Sequence, residues 1–405
     1  MGLYKQQPLP SGRMGALWTL GTIKDAVVLE FGSMGHMIYA RRWFEQAGYN
    51  EEDVKLYVTH LDEKDIALGI TDRIGRALDE ILAEYRAEAV FLIPSSVPEV
   101  IGIDMEAICE ELSYQYEDLP ILFFPCGSFS YNYHKGIETA LYELLKHLPV
   151  KVERTEELTC NIIGSCIDLH LFEQDAREIE RILKGAFGMK VSCVLSTKAD
   201  VKSIQSMGAA QVNLVIRSEG RKGAEVLKKK FGTPYLLGRP YGYKGTLGWI
   251  KQLEELTGLT ADVKFIEEEL REGRRAFENI AHMLEYFGDR AVFHAGGNAD
   301  VVQGLREFAC GELSLKEGIF WCDSKEYEQA NLPFRTENEL QLILEDMRTG
   351  ILMARKEVQK KVQGNTSELV TERSINEWSF NPHTPPYVGF RGALNLCARW
   401  FEEIQ

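Results

Sequence analysis

The sequence predicts an α/β protein in which parallel sheets are flanked by helices, and three observations carry that expectation. A chain of 405 residues, at about 150 per domain, divides into two or three domains, each large enough for a core of its own. The hydrophobic share of 45% and the charged share of 26% are those of an ordinary globular protein, which excludes long disorder and fibrous architectures. Through the first two thirds, a short aliphatic run, a Gly/Pro/Ser loop and an amphipathic stretch recur in that order. Consecutive strand–helix units with right-handed crossovers lay their strands parallel and cover both faces of the sheet.

The elements follow from the residues. Residues 25–31 (DAVVLEF) read as a strand, Gly32-Ser33-Met34-Gly35-His36 as its loop and 37–46 as a helix. Residues 55–59 form a second strand, and 72–86 place Ile74, Leu78, Ile81, Leu82 and Tyr85 on one helical face. The run 89–93 is the next strand. The loop 94–102 then opens a helix at Asp104, whose carboxylate suits an N-cap. Strand 121–124, loop 125–128 and helix 136–147 close the first cycle, and the polar stretch 151–158 reads as a linker. A second cycle takes strands at 159–163, 190–195, 211–216 and 234–237, with a helix at about 173–187. A third region opens with a long helix near 261–287, followed by a strand at 291–294 and a Gly296-Gly297-Asn298 loop. Beyond it, 331–361 reads as a long mixed-charge helix, 362–377 as a polar loop and 392–404 as an amphipathic helix.

Charge and cysteine usage narrow the function classes. With 46 Lys+Arg against 61 Asp+Glu the net charge is −15, a poor match to nucleic acid or anionic lipid. Apolar runs such as 89–93 fall far short of the roughly 20 residues that span a bilayer. The opening residues lack an apolar signal core, and Gln6 stands where a myristoylation site wants Ser or Thr, so a cytoplasmic location is expected. The eight cysteines contain no C-x-x-C pair, which removes a zinc knuckle and a local thiol–disulfide motif. No Ser/His/Asp, H-E-x-x-H or paired-acid signature supports a hydrolase, and no G-K-[ST] supports nucleotide binding by this chain.

Ligands of parallel sheets sit beyond the carboxyl ends of the strands, so the loops there are the places to look. In Gly32-Ser33-Met34-Gly35-His36 the missing Cβ atoms let backbone approach a ligand, and free helix N–H groups attract negative charge. The same residues equally make a tight βα turn with His36 capping or facing solvent. Ser95 and Ser96 follow directly on a strand, in a loop stiffened by Pro94 and Pro98 that also carries Glu99; the alternative is structural rigidity with Glu99 solvated. Cys126 is the one cysteine in a strand-end loop of the first cycle, either an iron ligand or a small side chain packed beneath the loop. His383 lies in the proline-stiffened approach 381–392 to the last helix, as a ligand, proton donor or solvated side chain.

Five stretches, taken together, resemble the nitrogenase component 1 superfamily, which includes dark protochlorophyllide reductases and the nickel-sirohydrochlorin cyclase. They are Pro10 through Gly15-Ala16, the 32–36 loop, Ser95 through Glu99-Val100-Ile101-Gly102 to Asp104, 211–218 with Gly232-Thr233-Pro234, and Pro386-Tyr387-Val388-Gly389-Phe390-Arg391-Gly392-Ala393. The resemblance covers most of the chain. It implies three Rossmann-like domains, which we place at 1–155, 156–258 and 259–405, the last irregular and ending in a helix. It also implies a second, homologous component 1 subunit, electrons from an ATP-hydrolysing iron–sulfur reductase, and a small-molecule substrate.

Departures from the family pattern matter as much. Where catalytic members place cluster cysteines, this chain has approximately Ser11, His36, and Ser96 or Val97; the cysteine ahead of an Arg-Ser pair is also missing, in Val215-Ile216-Arg217-Ser218. Serine and valine do not replace thiolate on iron, whereas imidazole sometimes does. The departures leave three outcomes: an iron–sulfur cluster shared with or held mainly by a partner, with His36 as one ligand; a cluster bound elsewhere, with Cys126 as the best thiol; or a chain that keeps the fold and has lost the metal. On this reading Gly32, Ser33, Gly35, His36, Ser95, Ser96 and Arg217 line the cofactor or substrate, Arg217 facing an anionic group. Glu99 and His383 deliver protons. The competing expectation is a non-redox scaffold or binding protein for a tetrapyrrole or metal-cofactor precursor.

Overall fold

The computed structural model describes residues 9–62, 64, 72–126, 132–154, 156–286, 291–347, 349–362, 365–370 and 383–404. Its frame is three parallel sheets of four strands. The first holds β1 (Ala26–Phe31), β2 (Leu56–Val58), β3 (Ala89–Pro94) and β4 (Ile121–Phe123). The second holds β5 (Thr159–Ser165), β6 (Lys190–Ser196), β7 (Val212–Val215) and β8 (Tyr235–Leu237). The third holds β9 (Val292–Gly297), β10 (Lys316–Cys322), β11 (Thr349–Ala354) and β12 (Asn365–Val370).

The strand orders are β2-β1-β3-β4, β6-β5-β7-β8 and β10-β9-β11-β12, one topology repeated three times. In each sheet the first and third strands are the central pair, and the chain leaves them in opposite directions. That reversal opens a crevice at their carboxyl ends. Central strands covered on both faces should be continuously apolar, and β3 and β5 are buried along their whole length. β1 is equally buried yet carries Glu30 in its apolar run.

Several elements depart from the sequence expectations, each for a local reason. The helix after β1 begins at Met34, so Gly35 and His36 stand in its first turn rather than in a loop. The stretch after β3 is a helical turn, Ser96–Val100, in which Pro98 is tolerated because first-turn N–H groups have no intrahelical partner. The long helix expected over 331–361 is instead helix Glu337–Asp346, β11 and the turn Lys356–Gln359. Gly350, at φ +119°, breaks the helical run, and the buried Ile351–Ala354 segment has the continuous apolar character of an inner strand. The polar stretch 362–377 contains β12, paired in register with β11; residues 363–364 and 371–377 lie outside the described residues. β10 and helix Gly12–Leu20 had no sequence counterpart. The last helix runs Gly389–Ile404, beginning a turn earlier than expected. Asp104 caps its helix, accepting from the Ala107 N–H at 3.0 Å.

No helix among the described residues is long and apolar enough to cross a membrane.

Candidate functional site

At the first sheet's crevice the chain leaves β1 and β3 side by side. A Cβ on Gly32 would lie 2.6 Å from the Ser95 Cβ and 3.0 Å from Glu30 Oε1, so only glycine fits here. Its N–H donates to Thr59 Oγ1 at 3.3 Å. Ser95 is fully buried, and its Oγ has no hydrogen-bond partner among the described residues. Ser96 is buried in the helical turn; Ser33 is half-buried, Gly35 is exposed with open space around it, and Glu99 is exposed. The backbone of His36 lies in the first helical turn, and its side chain is outside the described residues.

Beneath this edge sits a pair that the sequence reading missed. The buried Arg13 guanidinium grips the Glu30 carboxylate through both oxygens, Nε to Oε1 at 2.7 Å and Nη2 to Oε2. The signal was present, since a carboxylate inside an inner strand needs a buried cation to neutralise it. Cys126 is buried close enough to feel Arg13, Glu99 and Glu30; burial pushes its thiol well above the ordinary range, and Sγ donates to Phe124 O at 3.3 Å. Gly127 and Ser128 of its loop lie outside the described residues.

The second and third crevices meet in one buried network. Arg217, two residues past the end of β7, is 1% exposed. Its Nη1 donates to both oxygens of Asp168 at 2.9 and 3.0 Å, while Nε and Nη2 donate to Glu219 at 2.9 and 3.0 Å. All its donors point into the protein. Gly164 makes room for it: at φ +101°, a Cβ there would lie 2.6 Å from Arg217 Cγ. Glu219 Oε1 also faces His134 Nδ1 at 2.5 Å and accepts from Asn298 Nδ2 at 3.2 Å. On the other side of the ring, Nε2 lies 2.7 Å from Asp323 Oδ1. Asp323 further accepts from the Tyr133 hydroxyl at 3.0 Å and pairs with Arg355 at 3.4 Å. These groups follow strands of all three sheets.

A third cluster surrounds the C-terminal motif. The buried pair Arg239–Asp175 closes at 2.6 Å, and Asp175 also accepts from the Tyr387 N–H at 2.8 Å. Gly389 N–H donates to Pro240 O at 2.6 Å, tying the last helix to the second sheet. His383 is exposed on the approach to that helix.

The structure thus brings Gly32 and Ser95 into contact, with Cys126 and Glu99 around the same buried pair. Arg217 stands instead in the network with Asp168 and Glu219, and His383 is exposed on the approach to the last helix. The residues present do not fit an iron–sulfur cluster held by this chain alone. Ser11 and Ser96 offer hydroxyls, seven of the eight cysteines are buried, burial raises all eight thiols, and among the described residues no three His, Cys, Asp or Glu side chains could hold a metal ion.

Three doubly wound parallel sheets of identical strand order, flanked by helices and joined by one buried network beyond their strand ends, define a class of three-sheet α/β proteins. Within that class, the family model for nitrogenase component 1 type oxidoreductases matches residues 11–405, and the chain belongs to that family. It is 23% identical over 329 residues to a nitrogenase iron-iron protein beta chain of Rhodobacter capsulatus, covering 75% of this chain and 68% of that one. It is 25% identical over 301 residues to the nitrogenase iron-molybdenum cofactor biosynthesis protein NifE of Clostridium pasteurianum, covering 73% and 64% respectively. The chain therefore spans about two thirds of the length of these relatives. A solved structure titled "Nitrogenase Cp1 at pH 6.5" superposes over 100% of this chain and 94% of that one, with a TM-score of 0.79 at 15% identity, which establishes the shared fold.

Proposed function

We propose that this chain is a component 1-type subunit of an ATP-dependent reductase complex, paired with a homologous, cysteine-bearing subunit. In this reading the partner supplies the thiolates for any iron–sulfur cluster at the shared surface, and His36 adds one ligand from this side. An ATP-hydrolysing iron–sulfur reductase delivers the electrons. The small-molecule substrate lies against the first crevice, where Ser95 and Ser96 line it and Glu99 and His383 are the titratable groups offered for proton transfer.

The observation that supports this reading is the surface above that crevice. Met34, Ile38 and Tyr39 on the helix after β1, with Val100 and Ile101 after β3, are exposed large apolar side chains, Ile38 to 69% and Val100 to 74%. The two segments leave neighbouring strands in register, Phe31 opposite Pro94, so these side chains crowd one edge. An apolar face of this kind belongs in an interface. Co-expression with the homologous subunit encoded nearby tests the pairing. An Ile38→Glu/Val100→Glu double variant should fold normally and lose the partner; unchanged co-purification would refute the assignment of this face.

A second reading, a non-redox scaffold for a tetrapyrrole or metal-cofactor precursor, draws on the withdrawn thiols and on the likeness to a cofactor biosynthesis protein. Substrate reduction by the reconstituted complex that depends on ATP and a reductase would eliminate it.

A further inference from the structure

His134 has carboxylates at both ring nitrogens, Glu219 of the second domain at 2.5 Å and Asp323 of the third at 2.7 Å, while its own helix belongs to the first. A neutral imidazole donates from one nitrogen only. It would therefore turn a lone pair toward one carboxylate inside a site from which water is excluded. We propose that His134 is the clasp of the three-domain junction: a charged imidazolium gripped at opposite nitrogens by one carboxylate from each of the other two domains.

The position of the group explains what it does. Asp168 follows β5 and Arg217 with Glu219 follow β7; Asn298 follows β9, Asp323 follows β10 and Arg355 follows β11. Every one stands beyond the carboxyl end of a parallel strand, where sheets of this class bind ligands. The chain's own side chains fill that place. Their charges balance: His134, Arg217 and Arg355 oppose Asp168, Glu219 and Asp323.

The groups facing the ring act in the same direction. From the second domain Glu219 is backed by Arg217, and from the third Asp323 is backed by Arg355. On its own helix Tyr133 stacks against the ring at 4.0 Å, while Tyr327 of the third domain lies 5.9 Å away and donates to Glu138. Glu138, one turn along, is already paired with Lys135 and Lys222. Burial alone would drive the proton off; the two carboxylates outweigh it and raise the imidazole to about 10, while His134 and Arg355 hold the Asp323 carboxyl down at about 2. Separating any domain from this point would strand a buried charge. The inference is independent of the proposed partner.

The test is NMR of the full chain labelled with 15N-histidine, with the His134 signals assigned by their loss in His134→Gln. The expected result is a pair of imidazolium nitrogen signals unchanged from pH 6 to pH 9. A neutral tautomer at pH 7, or a His134 midpoint within that range, would overturn the proposal. Asp323→Asn and Glu219→Gln give a second reading: each should lower the His134 midpoint and speed amide exchange around the ring in the domains it joins. No movement of the midpoint in either variant would count against the clasp, and if both fail to fold, the wild-type titration still decides.

Discussion

Replacing Arg217 by methionine is the most direct probe of the buried network. Methionine keeps the aliphatic stem that packs on Gly164 and removes the guanidinium, so four charge-assisted contacts of 2.9–3.0 Å disappear while Asp168 and Glu219 stay buried. Removing one member of a buried ion pair costs about 3–5 kcal/mol, because the abandoned charge has no water to turn to. At an unfolding entropy of about 2.1 cal/mol/K per residue, a chain of this length loses roughly 4–6 °C of Tm. The penalty also has a sign in pH. Arg217 and His134 hold the Glu219 carboxyl far below its ordinary value against the opposing effect of burial, so its stabilising contribution is present at neutral pH and disappears as pH falls. The difference between R217M and wild type should therefore be greatest near pH 7 and shrink below about pH 4. Thermal unfolding by circular dichroism at pH 7 and pH 3 measures both. A shift below about 1 °C at pH 7, in a variant with native spectra, would refute the picture of a dry network that Arg217 neutralises.

Other expectations follow from the same geometry. Gly164→Ala should destabilise the second domain by more than about 1 kcal/mol, since the position combines φ +101° with a 2.6 Å approach to Arg217; unchanged urea unfolding would contradict it. Asp323, held at about 2, contributes stability that is complete above its unfolded value near 4 and is lost as pH falls toward 2, so Asp323→Asn should flatten the acid limb of the unfolding curve. Burial raises all eight thiols, to about 11 for half-buried Cys310, so native protein at pH 8 should react slowly with a disulfide reagent, Cys310 first; rapid labelling of Cys126 would show its loop to be open.

Much of the fold was legible because parallel strands buried on both faces advertise themselves. The runs at β1, β3, β5, β6 and β7 stand out from the polar helices around them, and Asp104 marks a helix start by chemistry alone. The third sheet was harder. β11 has the apolar content of either a strand or a helix, and its decisive feature, Gly350 in the left-handed region, is a tertiary fact. β12 is polar enough to resemble a loop and becomes a strand by pairing with β11. Sites divided in the same way. Loops after β1 and β3 were recognisable because serine and glycine follow an apolar run. Arg217 was expected to face an anionic substrate or cofactor group; Asp168 and Glu219 answer it from within, 49 and 2 residues away in sequence. His134 gave no sequence signal, because its partners lie 85 and 189 residues distant and meet only when three sheets converge. Glu30 is the instructive miss, since a carboxylate in an inner strand calls for a proton or a buried counter-charge, and here Arg13 supplies the charge.

In the proposed assembly this chain is a component 1-type subunit whose metal ligands come chiefly from a homologous partner. Anaerobic purification with iron and acid-labile sulfide analysis, first of the chain alone and then of the co-expressed pair, tests it most directly. Iron and sulfide are expected in the pair, in fixed ratio to it, with none above background in the chain alone. A stoichiometric cluster in the isolated chain, or a stable pair without iron, would contradict it.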